Sequence, residues 1–169
     1  GGMVAQECAV TWPQRVERMA LLCTSPGGAG GSSYPLHTLA EMTADEQNRV
    51  RLRLADSRYT PGYLAAHPFD QRLVELAVAG RCAPRTGEQL RGEARQVAAR
   101  SGHDVWDRLG SIACPTLVAY GEFDALAPPE NSRAIASRIT GNELRGYQGG
   151  HGFVWQDRQA WPDIIEYLS

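Results

Sequence analysis

The sequence predicts an α/β fold in which a parallel sheet is flanked by helices and carries an inserted all-helical segment. Two continuous apolar runs, 19–24 and 116–120, are bounded by charged, proline or glycine residues. Such runs are typical of strands that are buried on both faces of a parallel sheet. Helical patterns surround both runs, and this alternation indicates a layered α/β sheet. With 43% hydrophobic residues among 169, the chain can bury a sizeable core.

The chain is expected to begin with a helix that packs beside a strand. Met3, Cys8 and Trp12 recur at roughly helical spacing, and Pro13 closes the segment. The glycines at its start offer no capping side chain, but they would let the helix approach a strand closely. Residues 19–24 then form the first strand, and the glycine-rich loop that follows marks a boundary.

Residues 34–109 are predicted to form an all-helical insertion of three to five helices. Two sequences, Thr-Ala-Asp-Glu46 and Thr-Gly-Glu-Gln89, fit the capping box, in which two side chains satisfy each other's backbone N–H groups. Helices are therefore expected to begin after Thr43 and Thr86, and no buried-strand pattern interrupts the stretch. The predicted domains are an α/β core at 1–32 and 111–169 and a helical lid at 33–110.

The core pattern returns after the insertion. Pro115 precedes the strand 116–120, at a position where the missing N–H of proline is tolerated. Two adjacent prolines lead into a helix, and 143–147 form a third, shorter strand. The closing helix is expected to present one apolar face to the sheet, with residues at i, i+3, i+4 and i+7: Trp161, Ile164, Ile165 and Leu168.

Two of the predicted strands end in loops that carry an acid and a base. The strand 116–120 is followed by Gly-Glu-Phe-Asp124, and the strand 143–147 by Gln-Gly-Gly-His151. Reactive residues of an open parallel sheet lie in loops at the carboxyl ends of its strands. In neighbouring strands, Asp124 would hold one imidazole nitrogen of His151, which fixes the tautomer and stabilises the protonated ring. Taken alone, Asp124 is also an ordinary turn residue and His151 a capping or core histidine, and it is their combination that favours catalysis.

These loops and the start of the chain resemble a known family. Gly-Glu-Phe-Asp124 followed by Ala-Leu-Ala-Pro-Pro-Glu-Asn, and then Gly-Gly-His151, is similar to the acid and histidine loops of α/β-hydrolase-fold enzymes. The first seven residues, Gly-Gly-Met-Val-Ala-Gln-Glu, resemble the helix after the Gly-x-Ser-x-Gly-Gly nucleophile elbow of that family. The resemblance covers nearly the whole chain as the C-terminal part of such an enzyme, and is closest to lactonase, esterase and non-haem haloperoxidase-like members.

The resemblance implies a serine-type hydrolase that cleaves small esters or lactones by acyl transfer. The nucleophilic serine is expected two residues before Gly1, and the order serine, Asp124, His151 is that of the family. His151 would act as general base and then general acid, while Asp124 orients it. No serine of this chain lies in a Gly-x-Ser-x-Gly setting, so the chain alone is expected to be inactive.

Two other functions stay open on the sequence. A cofactor-free haloperoxidase or perhydrolase uses the same triad, and an assay of peroxide-dependent halogenation would separate it from a hydrolase. A non-catalytic small-ligand binding protein can also be built on this scaffold, and a non-nucleophilic residue in place of the upstream serine would favour it.

Further residues are candidates for the substrate pocket because they follow the strands: Thr24, Ser25, Phe153 and Trp155. The first two are alternatively loop starters, and the two aromatic residues are alternatively packing residues. Three other histidines have no comparable setting and are expected to serve the surface or the packing of the lid: His37, His67 and His103.

Composition excludes several classes of partner. The net charge of −2 gives no basic field for nucleic acid, and the longest apolar run is too short to span a membrane. The cysteines lack C-x-x-C spacing and are expected to be free thiols in the cytoplasm: Cys8, Cys23, Cys82 and Cys114. No metal or cofactor is expected. The first strand would form a sheet edge, so the chain is expected to need a missing N-terminal half or to self-associate.

Overall fold

Three parallel strands form the sheet of this protein, in the order β1 (Met19–Leu22), β2 (Thr116–Gly121) and β3 (Asn142–Tyr147). The computed structural model describes all 169 residues, apart from the side chain of Cys82. The predicted parallel α/β architecture is confirmed. Strand β1 ends two residues earlier than predicted, because the backbone of Cys23 turns into the left-handed region with φ of 46°.

Eight α-helices accompany the sheet in the described structure: α1 (Gly2–Thr11), α2 (Ala44–Ala55), α3 (Pro61–Ala66), α4 (Pro68–Cys82), α5 (Gly87–Ser101), α6 (Pro129–Arg138), α7 (Phe153–Gln156) and α8 (Ala160–Leu168). Short 3₁₀ helices lie between them, at Pro13–Arg15, Gly28–Gly30, Leu36–Glu41 and Trp106–Ser111. A search of the described helices finds none with the length and apolar character needed to cross a membrane.

The stretch between the first two strands is helical, as predicted. It contains the four helices α2 to α5, and the structure describes no strand within it. Both capping boxes are formed: the Thr43 and Thr86 side chains accept the N–H groups of Glu46 and Gln89, whose side chains accept the N–H groups of the threonines. The division of the chain into core and lid stays a prediction.

The sheet is covered on both faces, which explains why every residue of β2 is buried. One apolar cluster joins β1 and β2 to α1, α6 and the Trp106–Ser111 turn through Met19, Leu21, Val118, Ala9, Ile135 and Leu109. The other cluster joins β2 and β3 to α7 and α8 through Leu117, Ala119, Tyr147, Phe153 and Ile164. Successive residues of a strand point to opposite faces, so Leu117 and Val118 enter different clusters.

The apolar face predicted for α8 is wrong in three of its four residues. Ile164 is buried, with Ala160 and Tyr167 beside it at i−4 and i+3. Trp161, Ile165 and Leu168 are exposed instead, and Ile165 keeps 60% of its surface accessible. The apolar stripe of this short helix is wider than the side that contacts the sheet, so periodicity alone does not determine which flank is buried.

A pair of isoleucine substitutions tests this orientation of α8. Ile164→Ala is expected to lower the free energy of unfolding by about 2–5 kcal/mol, because it removes buried methyl groups and leaves a cavity. Ile165→Ala, on the exposed flank, is expected to change it by no more than about 0.5 kcal/mol. Urea denaturation followed by circular dichroism measures both, and equal losses would show that the helix is rotated from the position described.

Candidate active site

The candidate site lies at the carboxyl edge of the sheet, where β2 and β3 end side by side. Gly121 at the end of β2 is paired with Tyr147 at the end of β3. Beyond them the two loops stay hydrogen-bonded, because the N–H of Glu122 donates to the Tyr147 carbonyl at 3.0 Å and that of Phe123 to the Gly149 carbonyl at 2.9 Å. The sheet therefore delivers the acid loop and the histidine loop to one place.

Asp124 is buried, and both oxygens of its carboxylate have hydrogen-bond partners. One oxygen, Oδ1, accepts the backbone N–H groups of Leu126 at 2.8 Å and Ala127 at 2.9 Å. The other, Oδ2, lies 2.9 Å from Nδ1 of His151. Only 3% of the residue is exposed, so the carboxylate faces the imidazole in a fixed orientation with little competition from water.

His151 is the accessible member of the pair. Its side chain is 39% exposed, and no described residue makes a hydrogen bond to Nε2. With Nδ1–H donated to the carboxylate, Nε2 carries the lone pair that accepts a proton. The residue borders a cavity of about 260 Å³ with three leucines among the lining residues, Leu36, Leu54 and Leu126.

Cys23 is a neighbour of the pair that the sequence reasoning did not place there. Its sulfur, a carboxylate oxygen of Asp124 and a ring nitrogen of His151 all lie within 4.8 Å of one another. Burial, and then the charge of Asp124, raise the pKa of the Cys23 thiol. A buried thiol that holds its proton is a poor nucleophile and a poor metal ligand, so Cys23 is better suited to packing beside the pair. In the sequence, the signal that could have placed Cys23 near the pair is its position at the end of a strand in the same sheet.

The four residues predicted for the substrate pocket occupy different environments. Ser25 lines a cavity of about 200 Å³, and its hydroxyl bonds to Ser33 and Asn131. Thr24 is buried and accepts a hydrogen bond from Gln6. Phe153 is 1% exposed in the core, whereas Trp155 is 61% exposed at the surface. Their assignment to the pocket stays a prediction, and Ser25 is the one of the four that borders a described cavity.

The remaining histidines lie away from the pair. His67 stacks on Tyr63 with ring centroids 3.9 Å apart, and its Nδ1 lies 2.7 Å from the Tyr63 carbonyl oxygen. His37 and His103 border the same cavity as Ser25. Burial lowers the pKa of His103, which favours its neutral form.

Comparison with known proteins places the fold in a class. The chain is 30% identical over 172 residues to a poly(3-hydroxyalkanoate) depolymerase of Ectopseudomonas oleovorans, and the alignment covers 100% of the chain and 58% of that protein. A hydrolase from Pseudomonas aeruginosa PA01 has a similar structure, with a TM-score of 0.77 at 25% identity over 100% of this chain and 62% of that one. Est816, an N-acyl homoserine lactone degrading enzyme, gives a TM-score of 0.76 at 22% identity over 98% and 62%.

The sheet, the paired loops and these similarities define the class of protein: the chain has the fold of the C-terminal part of an α/β-hydrolase. Its curated relatives are hydrolases, and it spans 58% of the first of them. No protein-family profile matches the sequence.

Proposed function

We propose that this chain supplies the acid and the histidine of a serine hydrolase that cleaves small esters or lactones by acyl transfer. The observation that carries the proposal is the 2.9 Å hydrogen bond between buried Asp124 and His151, whose second nitrogen is free to take a proton. The small cavity beside His151, which is lined by three leucines together with Arg51 and Arg81, suits a short acyl group. The lactone degradation performed by Est816 supports the same class of substrate.

The proposed mechanism places the nucleophilic serine in the segment before Gly1. Nε2 of His151 removes the serine proton while the serine oxygen bonds to the carbonyl carbon of the substrate. The protonated ring then gives that proton to the departing alcohol oxygen as the C–O bond breaks, leaving an acyl-enzyme. Water, deprotonated by the same nitrogen, attacks the acyl carbon, and the serine leaves with the proton. Asp124 stabilises the imidazolium in both half-reactions.

The position of helix α1 supports the proposed chemistry. Gly2 at its first turn packs directly on the Thr24 side chain, just beyond the end of β1. The positive end of the helix dipole therefore lies at the same edge of the sheet as the acid and histidine loops. A partial positive charge at this edge would stabilise the negative oxygen that develops on the substrate.

Two forms of the protein test the proposal: the 169-residue chain, and the chain preceded by its upstream segment. The longer form is expected to hydrolyse p-nitrophenyl acetate, p-nitrophenyl butyrate or γ-butyrolactone, and to be labelled by a fluorophosphonate on the serine two residues before Gly1. The shorter form is expected to do neither, because it lacks the nucleophile. Peptide mass spectrometry locates the label.

The contradicting outcomes are equally specific. A longer form that neither hydrolyses these substrates nor takes the label would exclude a serine hydrolase. Labelling of a serine within the 169 residues, such as Ser25, would place the nucleophile elsewhere and overturn the proposed mechanism.

A further inference from the structure

A third segment holds the two loops of the candidate site together. We name it the clamp and define it as residues 54–58, which cover the last two residues of α2 and the three that follow. It is remote in sequence from both loops and lies in the predicted lid. Its backbone is nevertheless hydrogen-bonded to both, and it therefore fixes their separation.

The clamp binds the acid loop on both sides of the aspartate. The N–H of Ser57 donates to the carbonyl oxygen of Phe123 at 2.9 Å, and the N–H of Ala125 donates to that of Leu54 at 3.3 Å. The guanidinium of Arg58 also covers the Phe123 ring, 3.9 Å from its centroid. Two backbone bonds and a stacked cation leave the acid loop little freedom to shift relative to the clamp.

The clamp binds the histidine loop through His151 itself. The N–H of His151 donates to the carbonyl oxygen of Ala55 at 2.6 Å. Gly150 lies so close that a Cβ on it would overlap the Ala55 carbonyl oxygen and the Asp56 side chain. The close contact between Gly150 and the clamp therefore requires glycine at this position. It also fixes the position of the next residue, His151.

Gln156, at the end of α7, ties the histidine loop to the side chains of the clamp. Its Oε1 accepts the N–H of Gly150 at 2.8 Å. Its Nε2 lies 2.9 Å from Asp56 Oδ2, 2.9 Å from the Tyr59 hydroxyl and 3.2 Å from Asp70 Oδ1. The carboxylates accept and cannot donate, so the amide is fixed with its oxygen towards the loop and its nitrogen towards the clamp.

Asp56 and Asp70, which accept hydrogen bonds from the Gln156 amide, are buried and depend on their hydrogen-bond partners. Asp56 is 0% exposed, and it is paired with Arg58 through Nη2 at 2.6 Å and Nε at 2.9 Å. Burial, and then the charge of Asp70, raise the pKa of Tyr59, so its hydroxyl keeps the proton that it donates to Asp70 at 3.1 Å. A buried network of this kind tolerates the loss of a donor poorly.

We propose that Gln156 and Asp56 are positioning residues that hold His151 against Asp124 through Gly150 and the Ala55 carbonyl. Neither touches the reacting atoms, and both act on the main chain that carries the imidazole. The inference rests on the proposed function only in treating His151 as the proton carrier. The contacts themselves are independent of which reaction the site performs.

Proton NMR of the protein with its upstream segment tests the proposal without any substrate. The first readout is the low-field Nδ1 proton of His151, assigned by its absence in His151→Ala. The second is hydrogen exchange of the Gly150 and His151 amides. Gln156→Met, which keeps the side-chain length, is expected to speed water exchange of the ring proton and of both amides at least tenfold. The matched control Gln159→Met, exposed on the same stretch of chain, is expected to change neither.

A compensating pair separates positioning from general stability. Asp56→Asn sets two amide donors against each other, and Gln156→Glu sets two carboxylates against each other. Each is expected to reproduce the faster exchange. The double substitution restores one donor and one acceptor between positions 56 and 156, while the carboxylate introduced at position 156 still faces that of Asp70, so it is expected to recover part of the lost protection, at least about a third. Melting temperatures, measured in parallel, report the stability of each variant.

The outcomes distinguish this proposal from the proposed function. A Gln156→Met variant that melts lower but keeps the ring proton and both amides protected would reduce Gln156 to a structural role and overturn the positioning. Absence of the His151 ring proton from the unmodified chain would instead count against the Asp124–His151 pair, and the amide exchange would still decide whether the clamp positions the loop.

Discussion

Asp124→Asn is expected to lower kcat for p-nitrophenyl butyrate by about 10⁴-fold, with KM nearly unchanged. The protein to be measured is the longer form, in which the upstream segment precedes the 169-residue chain. Oδ1 of Asp124 accepts two backbone N–H groups, from Leu126 and Ala127. The carbonyl oxygen of the introduced amide must therefore stay on that side, because an NH₂ group cannot accept. Its NH₂ group then faces Nδ1 of His151 and holds the ring in the tautomer that has no lone pair on Nε2.

The control for this substitution is another aspartate that holds a backbone turn. Asp104 accepts the N–H of Trp106 at 3.0 Å, in a turn that belongs to neither the acid loop nor the histidine loop. Asp104→Asn is expected to change kcat by less than about threefold, since only that turn weakens. Steady-state kinetics of both variants give the comparison. An Asp124→Asn enzyme with more than a tenth of the original kcat would remove the carboxylate from the mechanism.

Gly121→Ala is expected to lower the free energy of unfolding by about 1–3 kcal/mol and to displace the histidine loop. A Cβ on Gly121 would overlap the backbone carbonyl groups of Gly149 and Gly150. Backbone atoms cannot move aside as a flexible side-chain end can, so the loop that carries His151 must shift. A displacement of about 1 Å is enough to cost about 10²-fold in rate, so kcat should fall together with the melting temperature.

A helical glycine provides the opposite control. Gly92 lies inside α5, and a Cβ there would meet no atom within 4 Å. Gly92→Ala is expected to stabilise the protein by about 0.5–1 kcal/mol, because alanine loses less backbone entropy in a helix. Thermal melting followed by circular dichroism measures both the expected loss of stability in Gly121→Ala and the expected gain in Gly92→Ala. A neutral Gly121→Ala variant would mean that the two loops are not packed as closely as described.

The sequence by itself determined the features that depend on short-range hydrogen bonds and on strand ends. The capping boxes at Thr43 and Thr86 are formed as predicted, because each is closed within four residues. The meeting of Asp124 and His151 followed from two apolar strands and the loops after them, since parallel neighbours end at the same edge of a sheet.

Only the tertiary structure decided which flank of α8 is buried, where the thiol of Cys23 lies and what holds the two loops in place. Ile164 and Ile165 are equally apolar, and packing against Phe153 and its neighbours separates them. The clamp joins residues that are far apart in sequence. Its contacts with the two loops are largely backbone hydrogen bonds, which require no particular side chains and therefore give no recognisable sequence pattern. Contacts of that range depend on how the elements pack, and local propensity carries no record of them.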